Sequence, residues 1–146
     1  MATMKVELVT PERTVFSDEV NAVIAPGAGG QLGILPHHIP LVSALEAGEL
    51  VIRKGEENIY VAVSGGFLIV QRNGVTILAD SAEKTEEIDL ADAEEARQSA
   101  REELSQHAYD TDRLKAEAEL SRALARLKVA RRRRKETRRP SSPGTL

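Results

Sequence analysis

The chain has 146 residues and a formal net charge of −3, and 41% of it is hydrophobic although only 3% is aromatic. It has room for one domain of ordinary size, or a small domain with an appendage, around a core of Val, Ile, Leu and Ala. The absence of cysteine excludes disulfides, thiolate metal sites and cysteine nucleophiles and fits a reducing compartment; no run approaches the ~18 apolar residues of a membrane helix, and the N-terminus lacks the basic-then-apolar pattern of a secretory leader.

In chain order, MKVELV (4–9) alternates Met4, Val6 and Leu8 with Lys5 and Glu7, the period-two pattern of a half-buried strand. Further β-like runs fall at 13–16, 19–25, 32–35, 40–45, 49–54, 58–63, 66–72 and 75–80. Turn residues separate them: Ser17-Asp18, Pro26-Gly27, Ala47-Gly48, the KGEEN stretch at 54–58, Gly65-Gly66 and Asn73-Gly74. Asn73-Gly74 predicts a type I′ hairpin joining 66–72 to 75–80, because both central positions of that turn need positive φ. Short, closely spaced strands without intervening helices imply an antiparallel β-sandwich or flattened barrel.

From Ile88 the texture turns helical, with no Gly or Pro between Gly74 and Pro140. Asp89 is placed to cap a first helix, whose apolar positions are Leu90, Ala93, Ala100 and Leu104, with the Arg97 stem among them. HAYDT (107–111) breaks the pattern, and Thr111 or Asp110 caps a second helix with a stripe of Leu114, Ala116, Leu120, Ala123, Leu124, Leu127 and Ala130. Two amphipathic helices with a tight connection make an antiparallel hairpin. The expected organisation is therefore a sandwich over 1–87, a two-helix unit over 88–139 with a basic end, and a disordered tail at 140–146. The hairpin is either a docked element or a mobile one, since alanine methyls contribute only about 0.8 kcal/mol each.

Charge follows this division. Residues 1–87 hold 12 acidic and 6 basic side chains and residues 88–125 hold 10 and 5, whereas 126–139 hold 9 basic and one acidic. That basic run suits a helix C-terminus, a nucleic acid or an acidic protein surface. Nucleic-acid binding is the weaker reading, because no aromatic platform follows Tyr109.

The stretch GGQLGILPHHIP (29–40) raises the question of an active site. Gly27, Gly29 and Gly33 have the spacing GxGxxxG with no following lysine, which matches neither a P-loop nor a dinucleotide fingerprint. His37 and His38, adjacent on what reads as extended chain, point to opposite faces and do not naturally chelate one ion. No nucleophile elbow or triad context accompanies them. The reading is a shaped loop, with no metal or catalytic residue assigned.

The segments LVTPERTVFSDEV (8–20), GGQLGILPHHIPLVSAL (29–45), VSGGFLIVQRNGVTILADSAE (63–83), EIDLADAEEARQSA (87–100) and AEAELSRALARLKVA (116–130) resemble the epsilon subunit family of F-type ATP synthase. The resemblance implies a ten-stranded β-sandwich followed by a two-helix domain in a non-catalytic rotor subunit. Such subunits clamp the gamma shaft, rest on the c ring and suppress ATP hydrolysis by extending the hairpin toward the alpha–beta hexamer. It further implies a peripheral place on the cytoplasmic face of a bacterial plasma membrane, with the energy-transducing membrane of an organelle as the weaker reading. The rival class is a stand-alone sandwich module that binds nucleic acid through its basic end.

Residue by residue, the resemblance gives His38, Thr10 and Ser43 as gamma contacts and Gln31 as the residue facing the c ring, where the family often has an acid. For His37 it gives no role. Some members bind ATP through an Ile/Leu-Asp-x-x-Arg-Ala signature with arginines on the second helix. Ile88, Asp89 and Ala93 match it, as do Glu83, Arg122 and Arg126, but Asp92 replaces the signature arginine and Ser99 a further one. A carboxylate in place of a cation repels a triphosphate, so ATP binding is expected to be weak or lost and no cofactor is expected. Arg122, Arg126, Arg131, Arg132, Arg133 and Arg134 are the cations that would meet an acidic loop of the beta subunit.

Overall fold

The computed structural model describes residues 2–138, with side chains through Arg132. The expected tail at 140–146 lies outside the described residues. Eight strands are present: β1 (Met4–Val9), β2 (Thr14–Val20), β3 (Ala22–Gly27), β4 (Gly30–Ile34), β5 (Leu41–Lys54), β6 (Glu57–Gln71), β7 (Gly74–Ala79) and β8 (Ala82–Lys84). They hydrogen-bond in the order β2-β1-β7-β6-β5-β3-β4, with β8 beside β6.

The eight strands supply ten strand segments because β5 and β6, of 14 and 15 residues, each serve two layers. One layer consists of β2, β1, β7, the second half of β6 and the first half of β5; the other consists of β8, the first half of β6, the second half of β5, β3 and β4. Leu8, Leu68 and Ile77 of the first layer share one buried cluster with Ile34, Leu50 and Ile52 of the second, so the layers face each other as a sandwich.

The crossing between layers explains why Ala47-Gly48 and Gly65-Gly66, expected as turns, lie inside strands. Pairing continues through the bend, from Leu45 opposite Gly66 to Ala47 opposite Ser64. Gly66 has φ +125, and a Cβ there would lie 1.9 Å from the Leu78 carbonyl oxygen. Only glycine lets β6 turn while β7 stays alongside.

Three local expectations change. Ser17-Asp18 lies within β2, and the break comes at Asn21. The 66–72/75–80 hairpin forms, but Gln71 pairs with Gly74, so Arg72 and Asn73 are the central residues; neither has positive φ, which excludes type I′. Gly74 is required instead because a Cβ would meet the Lys5 carbonyl oxygen at 2.4 Å. That approach reflects the parallel pairing of β1 with β7, which makes the otherwise antiparallel sandwich mixed.

A 3-10 turn (Thr85–Glu87) leads to α1 (Leu90–Gln106) and α2 (Asp112–Arg138). Asp89 caps α1, accepting from the Asp92 amide at 3.1 Å, and the Asp110 carboxylate accepts from the Asp112 amide at 3.0 Å to start α2. The hairpin lies on the sheet through α2. Ala62 of β6, Ile88 and Ala93 pack with Leu127, Val129 and Ala130 in a second buried cluster, with Tyr60 against its edge. Leu114 and Leu124 are exposed, contrary to the expected stripe. The C-terminal half of α2 instead buries Ala123, Ala125, Leu127, Val129 and Ala130, a band too wide for a single stripe.

Candidate functional site

Two surfaces can carry function, and each grows from the strand register or the hairpin. Cross-strand partners share a face, and Ala44 stands opposite Phe67, Phe67 opposite Leu78 and Leu78 opposite Val9. This row lies on the outer face of the first layer, since the adjacent row of Leu68, Ile77 and Leu8 is wholly buried. Val42 opposite Ile69 extends it. Val42, Phe67 and Leu78 are 68%, 55% and 42% exposed, and the loop feeding β5 adds Leu35 and Ile39 at 62% and 75%. The row of Val42, Phe67 and Leu78 is an exposed apolar face of the kind that marks a docking surface.

That loop contains the two histidines. The His38 amide donates to the Leu35 carbonyl at 3.1 Å, with Pro36 and His37 between them and His37 at φ +70. This is the type II turn pattern, with proline at its second position and positive φ at its third. The histidines therefore lie in a turn and not on extended chain. His37 acquires a conformational role, while the His38 ring Nδ1 lies 2.7 Å from the Ile39 carbonyl oxygen. Ala28-Gly29 forms the tip of the β3–β4 hairpin, where Gly27 pairs with Gly30, so these glycines shape a turn.

The three residues expected to contact gamma belong to the first layer or the loop entering it, but form no single cluster. Thr10 closes the β1–β2 turn, its amide donating to the Arg13 carbonyl at 2.9 Å. Ser43 is half-buried opposite Leu68 on the inward-facing row, and its hydroxyl donates to the Ala44 carbonyl at 3.2 Å. Register places Thr10 level with Leu45 and His38 beyond Leu41, toward opposite ends of the layer. Gln31 is exposed on β4, opposite Pro26 and near the β3–β4 tip, in the other layer.

The second surface is the seat of α2. Arg126, 13% exposed, reaches both Glu83 of β8, at 2.7 Å, and Asp92 of α1, at 3.1 Å. Burial lowers the guanidinium pKa, but the Glu83 and Asp92 carboxylates outweigh it and hold it above its usual value. One helical turn and a half further on, Arg132 makes two parallel bonds of 2.8 Å to Glu49, whose side chain is only 6% exposed, and stacks 4.6 Å from the centre of the Tyr60 ring.

Glu83, Asp92 and Arg126 thus meet, as their grouping in the nucleotide signature implies, but they pair with one another, one Arg126 amino group donating to both carboxylates. The Asp89 carboxylate is taken up by its cap, Ile88 and Ala93 are packing residues, and Arg122 and Arg131 face solvent. The side chains of Arg133 and Arg134 lie outside the described residues. Sequence reading missed Glu49 and Tyr60 as partners of Arg132, because 83 positions separate Glu49 from it. It also missed the apolar outer face, although the unbroken apolar run FLIV (67–70) and the apolar neighbours of Ser43 in PLVSAL signalled strands covered on both sides.

At the connection between the helices, His107 Nδ1 lies 2.8 Å from Asp110 and its Nε2 3.4 Å from Glu103. The bond to Asp110 raises the His107 pKa against a smaller desolvation effect, with Asp112 and Glu103 adding to it. Because the folded-state value lies above the unfolded one, the pair's contribution is full below histidine's ordinary range and fades as pH rises through the raised value. Hydrogen exchange at the Asp110 and Asp112 amides, corrected for intrinsic rates, is expected to show protection falling across that window. His107→Gln should remove the dependence, and an unchanged dependence in that variant would refute the assignment.

An apolar outer face on a sandwich, together with a helical pair tied to the sheet by arginines, suits a subunit that works by docking. Sequence profiles described as ATP synthase, Delta/Epsilon chain, beta-sandwich domain and ATP synthase, Delta/Epsilon chain, long alpha-helix domain match residues 3–85 and 86–131. The chain belongs to this ATP synthase delta/epsilon family, a family of non-catalytic stalk subunits. It is 52% identical to an ATP synthase epsilon chain of Dehalococcoides mccartyi over 137 residues, covering 92% of this chain and 97% of that one. An ATP synthase epsilon chain of Moorella thermoacetica is 48% identical over 131 residues, 89% of this chain and 98% of the relative. Among solved structures, the mitochondrial ATP synthase of Euglena gracilis, an OSCP/F1/c-ring assembly, contains a chain with TM-score 0.72 and 26% identity. The match covers 83% of this chain and 77% of that one.

Proposed function

We propose that this chain joins the gamma shaft to the c ring and restrains ATP hydrolysis by releasing its helical hairpin toward the alpha–beta hexamer. The sandwich supports the first part through its apolar outer face, with His38 in the adjoining loop and Gln31 exposed near the β3–β4 tip for the ring. The observation that carries the regulatory part is the chemistry of the hairpin's seat. Arg126 and Arg132 are held by Glu83, Asp92 and Glu49. The same guanidinium forks cannot simultaneously serve an acidic loop of the beta subunit. Docking on the sheet and docking on the hexamer are therefore mutually exclusive, and what favours one opposes the other.

The seat is otherwise built largely from small side chains, Ala62, Ala93 and Ala130 beside Val129, Leu127 and Ile88, and each alanine contact holds it by only about 0.8 kcal/mol on the scale of methyl-sized groups. ATP has no regulatory role in this reading, since Asp92 supplies a negative charge where an incoming triphosphate needs a positive one. The subunit works peripherally on the cytoplasmic face of a bacterial plasma membrane. Supporting this, no helix among the described residues is long and apolar enough to cross a membrane, and the relatives named from Dehalococcoides and Moorella are bacterial. Truncation after Ala130 removes Arg131, Arg132 and the rest of the basic end and is expected to raise ATP hydrolysis by the assembled complex severalfold. Hydrolysis unchanged by that truncation would contradict the inhibitory role.

A further inference from the structure

We infer that Glu83 and Asp92 act as a built-in anion for Arg126, a clasp that closes the hairpin on the sheet without any bound nucleotide. The inference rests on the mobile-hairpin reading above and concerns what sets its resting position. Arg126 ties its own helix to two other elements: it leaves α2, meets β8 through Glu83 at 2.7 Å and meets α1 through Asp92 at 3.1 Å. Its 13% exposure, against 64% for Asp92, places the cation inside the seam with one carboxylate acting as its outer lid.

The charge count decides what such a site admits. One guanidinium is shared by two carboxylates, so the closed clasp has a local excess of one negative charge. A phosphate approaching Arg126 meets like charge at contact distance and must displace ligands already in place. A cation at this position without its carboxylates would be half-desolvated and unpaired, which is costly. Asp92 and Glu83 remove that cost within the chain itself, so closure does not wait for an external anion. Arg132 on Glu49 and Tyr60 is a second tie about one and a half helical turns away and does not share these groups.

The test is native-state hydrogen exchange on the full chain, comparing the α2 amides at 127–132 with those of β7. Glu83→Gln combined with Asp92→Asn keeps the side-chain shapes and removes both charges. Protection of the α2 segment is expected to fall about tenfold, with β7 unchanged. In an Arg126→Gln background the same two changes should have no further effect, which separates the clasp from any influence of Asp92 on the α1 N-terminus. Millimolar MgATP should leave protection of the native chain unaltered. Equal protection in the native and doubly neutralised chains, an undiminished effect in the Arg126→Gln background, or a rise with MgATP would each overturn the inference. Failure of the regulatory reading shows elsewhere, as hydrolysis indifferent to truncation after Ala130, and would leave these exchange results as they are.

Discussion

Phe67→Asp is expected to weaken binding of the gamma subunit by at least about thirtyfold, near 2 kcal/mol, while leaving the fold intact. Phe67 sits at the middle of the row Ala44, Phe67, Leu78 and Val9, so it is the natural anchor of the apolar face. Buried aromatic anchors near the centre of an interface dominate its energetics, and an aspartate there adds an unpaired charge to the lost apolar contact. Because the side chain is 55% exposed in the free subunit, the sandwich core does not depend on it. Co-purification with gamma and a thermal melt of the isolated chain check the two halves of the prediction. Undiminished capture of gamma by Phe67→Asp would remove this face from the interface.

Much of the fold was legible because each segment obeys a local rule. MKVELV alternates as a strand and forms β1 at 4–9, Asp89 caps α1, and HAYDT separates the helices. The two long strands were read as four because Gly65-Gly66 and Ala47-Gly48 carry the composition of turns. Only the pairing partner, which keeps register across the bend, distinguishes a folded-over strand from two strands. The same limit applies to α2. Its stripe was drawn for one contact face, but the helix is wedged between α1 and the sheet and buries a wider band, leaving Leu114 and Leu124 outside.

The site was legible in parts that share a motif and hidden where distant segments meet. Glu83, Asp92 and Arg126 could be grouped through the family resemblance, and geometry then shows that they pair with each other. Glu49 has no sequence signal, since a single acid in a strand reads as a solvated residue until a helix 83 positions later covers it. His37 likewise gains meaning only from the turn, where its φ of +70 completes the geometry begun by Pro36.

The opposed commitments of the hairpin's arginines can be tested by holding the hairpin down. The native chain has no cysteine, so Ala62→Cys with Ala130→Cys, positions that pack in one buried cluster between β6 and α2, places a thiol pair across the seat that oxidation can join as a disulfide without touching the arginines. A hairpin that must leave the sheet to inhibit cannot do so once linked, whatever the affinity of its partner surface. ATP hydrolysis by the assembled synthase, measured on linked and unlinked preparations of the same variant, is the decisive quantity. The account predicts hydrolysis severalfold faster in the linked complex; equal rates, with the link verified, would show that release of the hairpin is not how this subunit restrains the enzyme.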